Sequence, residues 1–224
     1  MITISIVSGI VFQILLLYKY KYTMEDLIIL LIYELIGIIV GGKLFTCVLQ
    51  INGKCDFLNA GFSSFGSLIG AILMIILFAF QSRKKIIELL YVFITVTPLM
   101  YSIGKIGCFI AGCCRGIEYN GIGKVIYKYG YNATGLSYFP IQLIESIIFM
   151  IIFIFLYNIH NKNRFNKKVL GISFIICGFL KFILDFLRLD HNGKIISNNQ
   201  IFCIIFVIVG IIMYIKNNNK IALK

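Results

Sequence analysis

The chain has 224 residues, 60% of them hydrophobic and only 13% charged, with a formal net charge of +12. Soluble domains sit nearer half apolar and a quarter charged. The composition therefore excludes an ordinary soluble protein and predicts an integral membrane protein, a single polytopic domain over residues 1–224. The positive charge needs no nucleic-acid partner, because cytoplasmic anchoring to anionic lipid accounts for most of it.

Seven apolar runs follow one another. Ile2–Tyr18 has no basic segment before it, so it reads as a first span rather than a cleaved leader. Leu27–Val40 must extend through Gly41–Leu49 to cross fully. Phe62–Phe80 carries Gly66 and Gly70 at a spacing that suits close helix packing. Ile86–Ile103 leads into GKIGCFIAGCCRG, Gly104 to Gly116, which holds three of the seven cysteines, two cations and four glycines. Ile141–Tyr157 follows Pro140, a residue suited to the first helical position. Val169–Leu187 and Ile201–Ile215 complete the set.

The expected fold is all-α, with seven transmembrane helices. Lys19, Lys21, Arg83, Lys84, Lys85, Lys162, Arg164, Lys167, Lys168, Lys216, Lys220 and Lys224 fall on one side of such an arrangement. The other side takes Lys43, Lys54, Lys105, Arg115, Lys124, Lys128, Arg188 and Lys194. The excess of the first set predicts an N-terminus outside and a cytoplasmic C-terminus. The cations of the Lys105–Lys128 connection are not explained by topology.

Ionisable residues at membrane depth are costly and are functional candidates by default. Glu34, Glu145, Lys181 and Asp185 are of this kind. Lys181, Asp185 and Arg188 follow an i, i+4, i+7 spacing, which on one helix places them on a common face. Lys181 then lies roughly 10 Å deeper than Arg188. Gln142 and Glu145 share a face near the outer boundary of the fifth span, and Ser197-Asn198-Asn199-Gln200 opens the seventh. The polar groups of spans four to seven thus gather at the outer-leaflet level, either as internal ion pairs of a bundle or as a site for an anion such as a lipid phosphate. A glycine-rich span end at Gly104–Gly116 could also present backbone N–H groups to phosphate.

Cys108, Cys113 and Cys114 do not have a zinc spacing, and His160 and His191 are far along the chain, so neither metal nor cofactor is expected. A structural disulfide involving Cys55 stays open, while vicinal pairing of Cys113 with Cys114 would be strained. Cys47, Cys177 and Cys203 read as small apolar filler. A thiol-dependent membrane oxidoreductase or sensor using Cys108, Cys113 and Cys114 is the alternative function.

GKIGCFIAGCCRG resembles the signature G-R-x-G-N-F-x-x-G-x-x-x-G of the bacterial prolipoprotein diacylglyceryl transferases. In the same order, GGKLF (Gly41–Phe45), NAGFSSFGSLIGAIL (Asn59–Leu73), FPIQLIES (Phe139–Ser146), CGFLKFILDFLRLD (Cys177–Asp190) and SNNQ (Ser197–Gln200) are similar to further segments of that family. The resemblance implies a multi-pass enzyme of the bacterial cytoplasmic membrane that moves a diacylglyceryl group from phosphatidylglycerol to the cysteine thiol of a prolipoprotein signal peptide. It implies that Lys105, Lys181 and Arg188 hold the lipid phosphate, with Arg115 at the outer rim. Glu145 and Asp185 would orient those cations, or one of them would act as base. Gly104, Gly107, Gly112 and Gly116 would shape the site, and Cys108, Gln142 and Gln200 would line it for substrate. The chain departs from the pattern at several positions. Phe65 stands at the family's histidine, Lys105 at its signature arginine, Cys108 at its asparagine, and Lys181 and Asp185 at its Arg/Glu pair. The resemblance thus leaves a divergent working transferase beside a lipid-binding paralogue without catalysis.

Overall fold

The computed structural model describes residues 1–49, 57, 61–127, 135–162, 167–191, 193 and 195–222. Expectations placed on Lys54, Cys55, Asn59, Lys128, Arg164, Lys194 and Lys224 lie outside the described residues. Among the described residues there are seven α-helices: α1 (Ile2–Tyr18), α2 (Met24–Leu49), α3 (Ser64–Gln81), α4 (Ile86–Ala111), α5 (Ile141–Lys162), α6 (Lys167–Asp185) and α7 (Asn198–Ala222). Two short antiparallel strands, β1 (Val125–Ile126) and β2 (Ser137–Tyr138), form a small ribbon between α4 and α5. Helices α2, α3, α4, α5 and α7 are long and apolar enough to cross a membrane. Helix α1 is apolar but only 17 residues long, and α6 carries Lys167, Lys168, Lys181 and Asp185. The protein is an all-α membrane protein. Its helices are inverted relative to those of a soluble domain: on α5, Ile147, Ile151 and Ile154 are exposed, while Gln142, Glu145 and Ser146 are buried. Lipid takes the apolar face, and the polar groups turn inward where they find partners.

Several helix ends differ from the apolar runs, each for a local reason. Helix α2 starts at Met24 rather than Leu27 because Thr23 and Asp26 form a reciprocal cap. The Asp26 N–H donates to Thr23 Oγ1 and the Thr23 N–H to Asp26 Oδ2, each at 3.2 Å. Helix α7 starts at Asn198 rather than Ile201 for the same reason. The Gln200 N–H donates to Ser197 Oγ at 3.1 Å and the Ser197 N–H to Gln200 Oε1 at 3.0 Å. Pro140 precedes α5 instead of opening it, and its carbonyl accepts from the amides of Leu143 and Ile144 at 3.1 and 3.3 Å. Helix α4 continues through Gly104 and Gly107 to Ala111, whereas α6 stops at Asp185, before Arg188.

The chain divides into two compact units, Gln13–Phe93 and Met1–Phe12 with Ile94–Lys224. In the first, α2 and α3 pack through glycines. A Cβ on Gly37 would meet the Gly70 carbonyl, and one on Gly41 or Gly66 would meet the other's carbonyl. Such small-residue contacts let helices approach where lipid offers no hydrophobic drive. The unit also contains a Gln13 Nε2 to Glu34 Oε1 hydrogen bond of 2.5 Å and an Asp26–Lys84 ion pair of 2.6 Å. Cys47, expected as apolar filler, is disulfide-bonded.

In the second unit, Ser5 Oγ of α1 donates to the Met100 carbonyl of α4 at 2.5 Å. Helices α6 and α7 meet where Gly171 and Gly210 face each other, a Cβ on either lying 2.7–2.8 Å from the other's carbonyl. All the residues discussed as a site below belong to this unit, whereas Phe65 and Lys43 belong to the first.

Candidate functional site

Glu145 of α5 is the centre of the buried polar cluster. Its Oε2 lies 2.6 Å from Lys105 Nζ of α4, and its Oε1 accepts from Lys181 Nζ of α6. The Lys105 and Lys181 side chains are 7% exposed and Glu145 is 0% exposed, so three helices are pinned together by one carboxylate between two ammonium groups. Tyr101, one helical turn before Lys105, supplies the floor. Lys105 Nζ and Lys181 Nζ lie 5.1 and 5.4 Å from its ring centroid, cation–π distances that partly replace lost hydration. A charge taken out of water needs such compensation. Tyr101 drew no attention in the sequence, because only its i, i+4 relation to Lys105 could have marked it.

The second part of the cluster surrounds Asp185 and Arg188. The expected single face of Lys181, Asp185 and Arg188 does not form, because the helix ends at Asp185. Lys181 turns to Glu145, while Asp185 accepts from Ser197 Oγ and, at 3.3 Å, from Asn199 Nδ2. Arg188 is fixed by its backbone instead. Gly116 and Arg188 form an antiparallel bridge, with the Ile117 N–H donating to the Leu187 carbonyl at 3.1 Å and the Leu189 N–H to the Arg115 carbonyl at 3.0 Å. On its other side this segment bonds the β2 region, through the Phe139 N–H to the Ile117 carbonyl at 3.0 Å. Gly116 must be glycine here, since a Cβ would run into the Phe139 carbonyl. Arg188 Nη2 donates to Asp190 Oδ2 at 3.0 Å and its Nη1 lies 3.9 Å from Asp185 Oδ1. Its Nε is buried and has no hydrogen-bond partner among the described residues. His191, also buried, places Nδ1 at 3.7 Å from Asp185 Oδ2, too long for a hydrogen bond. Distance along the chain hid His191 from sequence reasoning, although it stands only three residues beyond Arg188.

Among the described residues, Lys105, Lys181 and Arg188 share the buried carboxylates Glu145 and Asp185, since Asp190 is 68% exposed at the rim, and the acidic Cys114 thiol is the further group that answers their charge. Three buried cations stand together, with a buried guanidinium N–H that has no hydrogen-bond partner among the described residues. Leaving such a donor unsatisfied costs about 1–3 kcal/mol. The arrangement is suited to an anion that accepts hydrogen bonds, and a phosphodiester is one.

The other expected site residues support this cluster from nearby. Gln142 Nε2 donates to the Cys113 carbonyl at 2.8 Å and to the Tyr127 hydroxyl at 2.9 Å, tying the cysteine segment to the top of α5. Gln200 spends its amide on the α7 cap and on the Phe182 carbonyl at 3.3 Å. Arg115 rests on Tyr138, its guanidinium 4.6 Å from the ring centroid and its Nη1 3.0 Å from the hydroxyl. Gly104 and Gly107 lie inside α4, so their amides serve the helix and do not form the expected phosphate-binding end. Gly107 lets Met1 approach, whereas a Cβ on Gly104 would find its nearest neighbour, Ser5 Oγ, at 4.0 Å.

Gly112, with φ at +67°, reverses the chain after α4, and the Cys113 N–H donates back to the Cys108 carbonyl at 3.1 Å. The turn brings together the thiols of Cys108, Cys113 and Cys114, whose Sγ atoms lie within 4.8 Å of one another. All three are free thiols. The Cys108 thiol, with help from the Lys105 and Arg188 charges, lowers the Cys114 pKa to about 5 against the opposing effect of burial. Burial pushes the Cys113 thiol up.

Comparison with known proteins identifies the cluster's lineage. The sequence profile described as prolipoprotein diacylglyceryl transferase matches residues 1–216. The phosphatidylglycerol–prolipoprotein diacylglyceryl transferase 2 of Clostridium perfringens is 32% identical over 168 residues, covering 74% of this chain and 65% of that protein. The phosphatidylglycerol–prolipoprotein diacylglyceryl transferase of Clostridium tetani is 26% identical over 223 residues, covering 96% of this chain and 90% of that protein. The Finegoldia magna enzyme of the same name is 23% identical, with 99% of this chain and 90% of that protein covered. The match runs through α4, α5 and α6, which carry Lys105, Glu145 and Lys181, and the chain belongs to the prolipoprotein diacylglyceryl transferase family.

Proposed function

We propose that the protein transfers the diacylglyceryl group of phosphatidylglycerol to the cysteine thiol of a prolipoprotein signal peptide, with Lys105, Lys181 and Arg188 holding the lipid phosphate. The observation that carries this reading is the unspent Arg188 Nε–H in a cluster of three buried cations. In the reaction a C–S bond forms as the C–O bond to phosphate breaks, so the electron pair and growing negative charge go to the departing glycerol phosphate. Donors aimed at that oxygen lower the barrier more than donors aimed at the ground state. Glu145 orients the two lysines, since both of its oxygens are committed to them. Asp185 does the same for the Arg188 end. The attacking thiol must lose its proton, because a free thiol is only a few per cent ionised near neutrality. His191, beside Asp185 and with Nδ1 lacking a hydrogen-bond partner among the described residues, is assigned as the acceptor in a chain with Phe65 at the family's histidine position.

In this reading the chain acts as one polytopic domain of the bacterial cytoplasmic membrane. It has seven spans, its N-terminus outside and its C-terminus inside, and the cation cluster at the outer leaflet. The disulfide at Cys47 supports that orientation for the C-terminal end of α2, since disulfides persist in oxidising compartments. The test is transfer from labelled phosphatidylglycerol to a lipobox peptide, in membranes with matched protein levels. Lys105→Gln and Lys181→Gln should each cut transfer by about 10²–10³-fold. Lys105→Arg should cost far less, because arginine keeps the charge and adds a forked donor. Lys124→Gln should be nearly silent. Equal losses for all three glutamine variants would leave only diffuse electrostatics and overturn the assignment.

A further inference from the structure

We propose that Cys108, Cys113 and Cys114 form a three-thiolate binding site for a soft monovalent metal ion, Cu(I). The site is built by the backbone. Cys108 lies in the last turn of α4, Gly112 reverses the chain, and the Cys113 amide bonds back to the Cys108 carbonyl at 3.1 Å. The Gln142 amide clamps the Cys113 carbonyl from α5 at 2.8 Å. Cys114 is held at φ +54°, a left-handed conformation that non-glycine residues adopt at a cost of about 1–2 kcal/mol. That strain directs the Cys114 side chain into the same space as the other two, where it adds a third sulfur.

The donor set selects the ion. Three Sγ atoms within 4.8 Å of one another need to close by less than 1 Å to surround a metal at about 2.3 Å, where trigonal sulfurs stand about 4 Å apart. No histidine or carboxylate joins the three thiols among the described residues. Structural zinc takes four ligands, whereas thiolate-only sites of low coordination suit Cu(I). Three thiolates around Cu(I) carry a net charge of −2. Lys105 and Arg188 both act electrostatically on Cys114, so the neighbourhood favours its deprotonated, metal-binding form. A hard dication such as Mg²⁺ or Ca²⁺ finds neither oxygen ligands nor a favourable field. Binding displaces the proton of each sulfur that still carries one and joins the Cys114 sulfur directly, without oxidation of any thiol. It joins α4 to the reversed segment at a second point and so stiffens the turn.

The experiment is an anaerobic titration of the full-length protein in detergent with Cu(I), in competition with a chromogenic Cu(I) chelator. X-ray absorption at the copper edge reads the ligands. The expected result is one Cu(I) per chain, three sulfur neighbours at about 2.3 Å and a raised melting temperature. Cys113→Ser and Cys114→Ser should each weaken binding by about 100-fold or more, while Cys177→Ser with Cys203→Ser should leave it unchanged. Absorption spectroscopy on the wild-type protein needs no variant to fold. Nitrogen or oxygen neighbours, two-sulfur coordination, undiminished binding by the Cys113 and Cys114 variants, or a site that takes Zn(II) in preference to Cu(I) would each overturn the proposal.

Discussion

Removing the Glu145 charge is the sharpest perturbation of the cluster. Glu145→Gln keeps the side chain's size but leaves the Lys105 and Lys181 ammonium groups buried together without a counter-ion. At the 2.6 Å separation from Lys105 and an effective dielectric near 20, the Coulomb attraction in one pair is about 6 kcal/mol. Desolvation of the partners opposes it, and breaking a buried pair costs about 3–5 kcal/mol net. In a chain of this size each kcal/mol corresponds to about 2–4 °C in melting temperature, so Glu145→Gln should melt about 6–20 °C below wild type in detergent. The double variant Glu145→Gln with Lys181→Met restores the triad's single surplus charge and should recover most of that loss. It should not recover transfer, because the proposed assignment of Lys181 to the lipid phosphate requires its charge. Melting curves and labelled-lipid transfer on matched preparations separate the two effects. A single variant that melts within about 2 °C of wild type would falsify the ion triad. A double variant less stable than the single one would refute the repulsion argument.

Further expectations follow from the same geometry. Replacing Cys108, Cys113 and Cys114 together by serine should leave lipid transfer within about tenfold, because these thiols are not asked to carry reaction charge; complete loss in a folded, inserted variant would favour thiol chemistry. His191→Asn should lower transfer by about 10²–10⁴-fold. Transfer at the wild-type rate in that variant would remove His191 from proton transfer. In the metal-free protein at pH 7, a Cys114 pKa of about 5 makes that thiol almost wholly thiolate, so its alkylation rate should barely rise between pH 6.5 and 8, where an ordinary thiol gains about tenfold per pH unit. A steep rise, read by mass spectrometry of the modified peptide, would contradict it.

How much was visible in the sequence depended on whether the signal was local. Hydropathy located all seven helices, but apolar content measures burial in lipid and not where a helix begins. The true starts of α2 and α7 lie in polar residues, and Thr23-x-x-Asp26 and Ser197-x-x-Gln200 were readable as reciprocal caps. Gln200 thus has a full explanation in helix capping, and Ser197 adds a second task by holding Asp185. The Lys105–Glu145–Lys181 triad spans three helices, so its members could be nominated by the cost of burying charge but not paired. Helical spacing instead suggested a common face for Lys181, Asp185 and Arg188, which does not form because α6 ends before Arg188; of the two cations, Arg188 stays beside Asp185, at 3.9 Å, and Lys181 turns to Glu145.

The glycines of the signature separate these two kinds of knowledge most clearly, and they carry the last prediction. Gly104 and Gly116 begin and end the same motif and look equivalent in sequence. In the structure Gly104 is a helical residue with free space beside it, while Gly116 lies against the Phe139 carbonyl in the backbone bridge that positions Arg188. Gly104→Ala should therefore keep the melting temperature or raise it slightly, since alanine gains about 1 kcal/mol over glycine in a helix interior. Gly116→Ala must push two bonded segments apart. The strand-like contact from Arg115 to Leu189 and from Ile117 to Phe139 would open, and the Arg188 guanidinium would lose its fixed position. Misplacing a catalytic cation by about 1 Å can cost about 10²-fold in rate. Transfer should fall by that order in Gly116→Ala even at temperatures where the protein stays folded. If Gly116→Ala transfers lipid as wild type does, the bridge does not position Arg188. In that case Arg188 must be held by Asp185 and Asp190 alone, and Asp190→Asn, at the exposed rim, becomes the variant expected to lose activity.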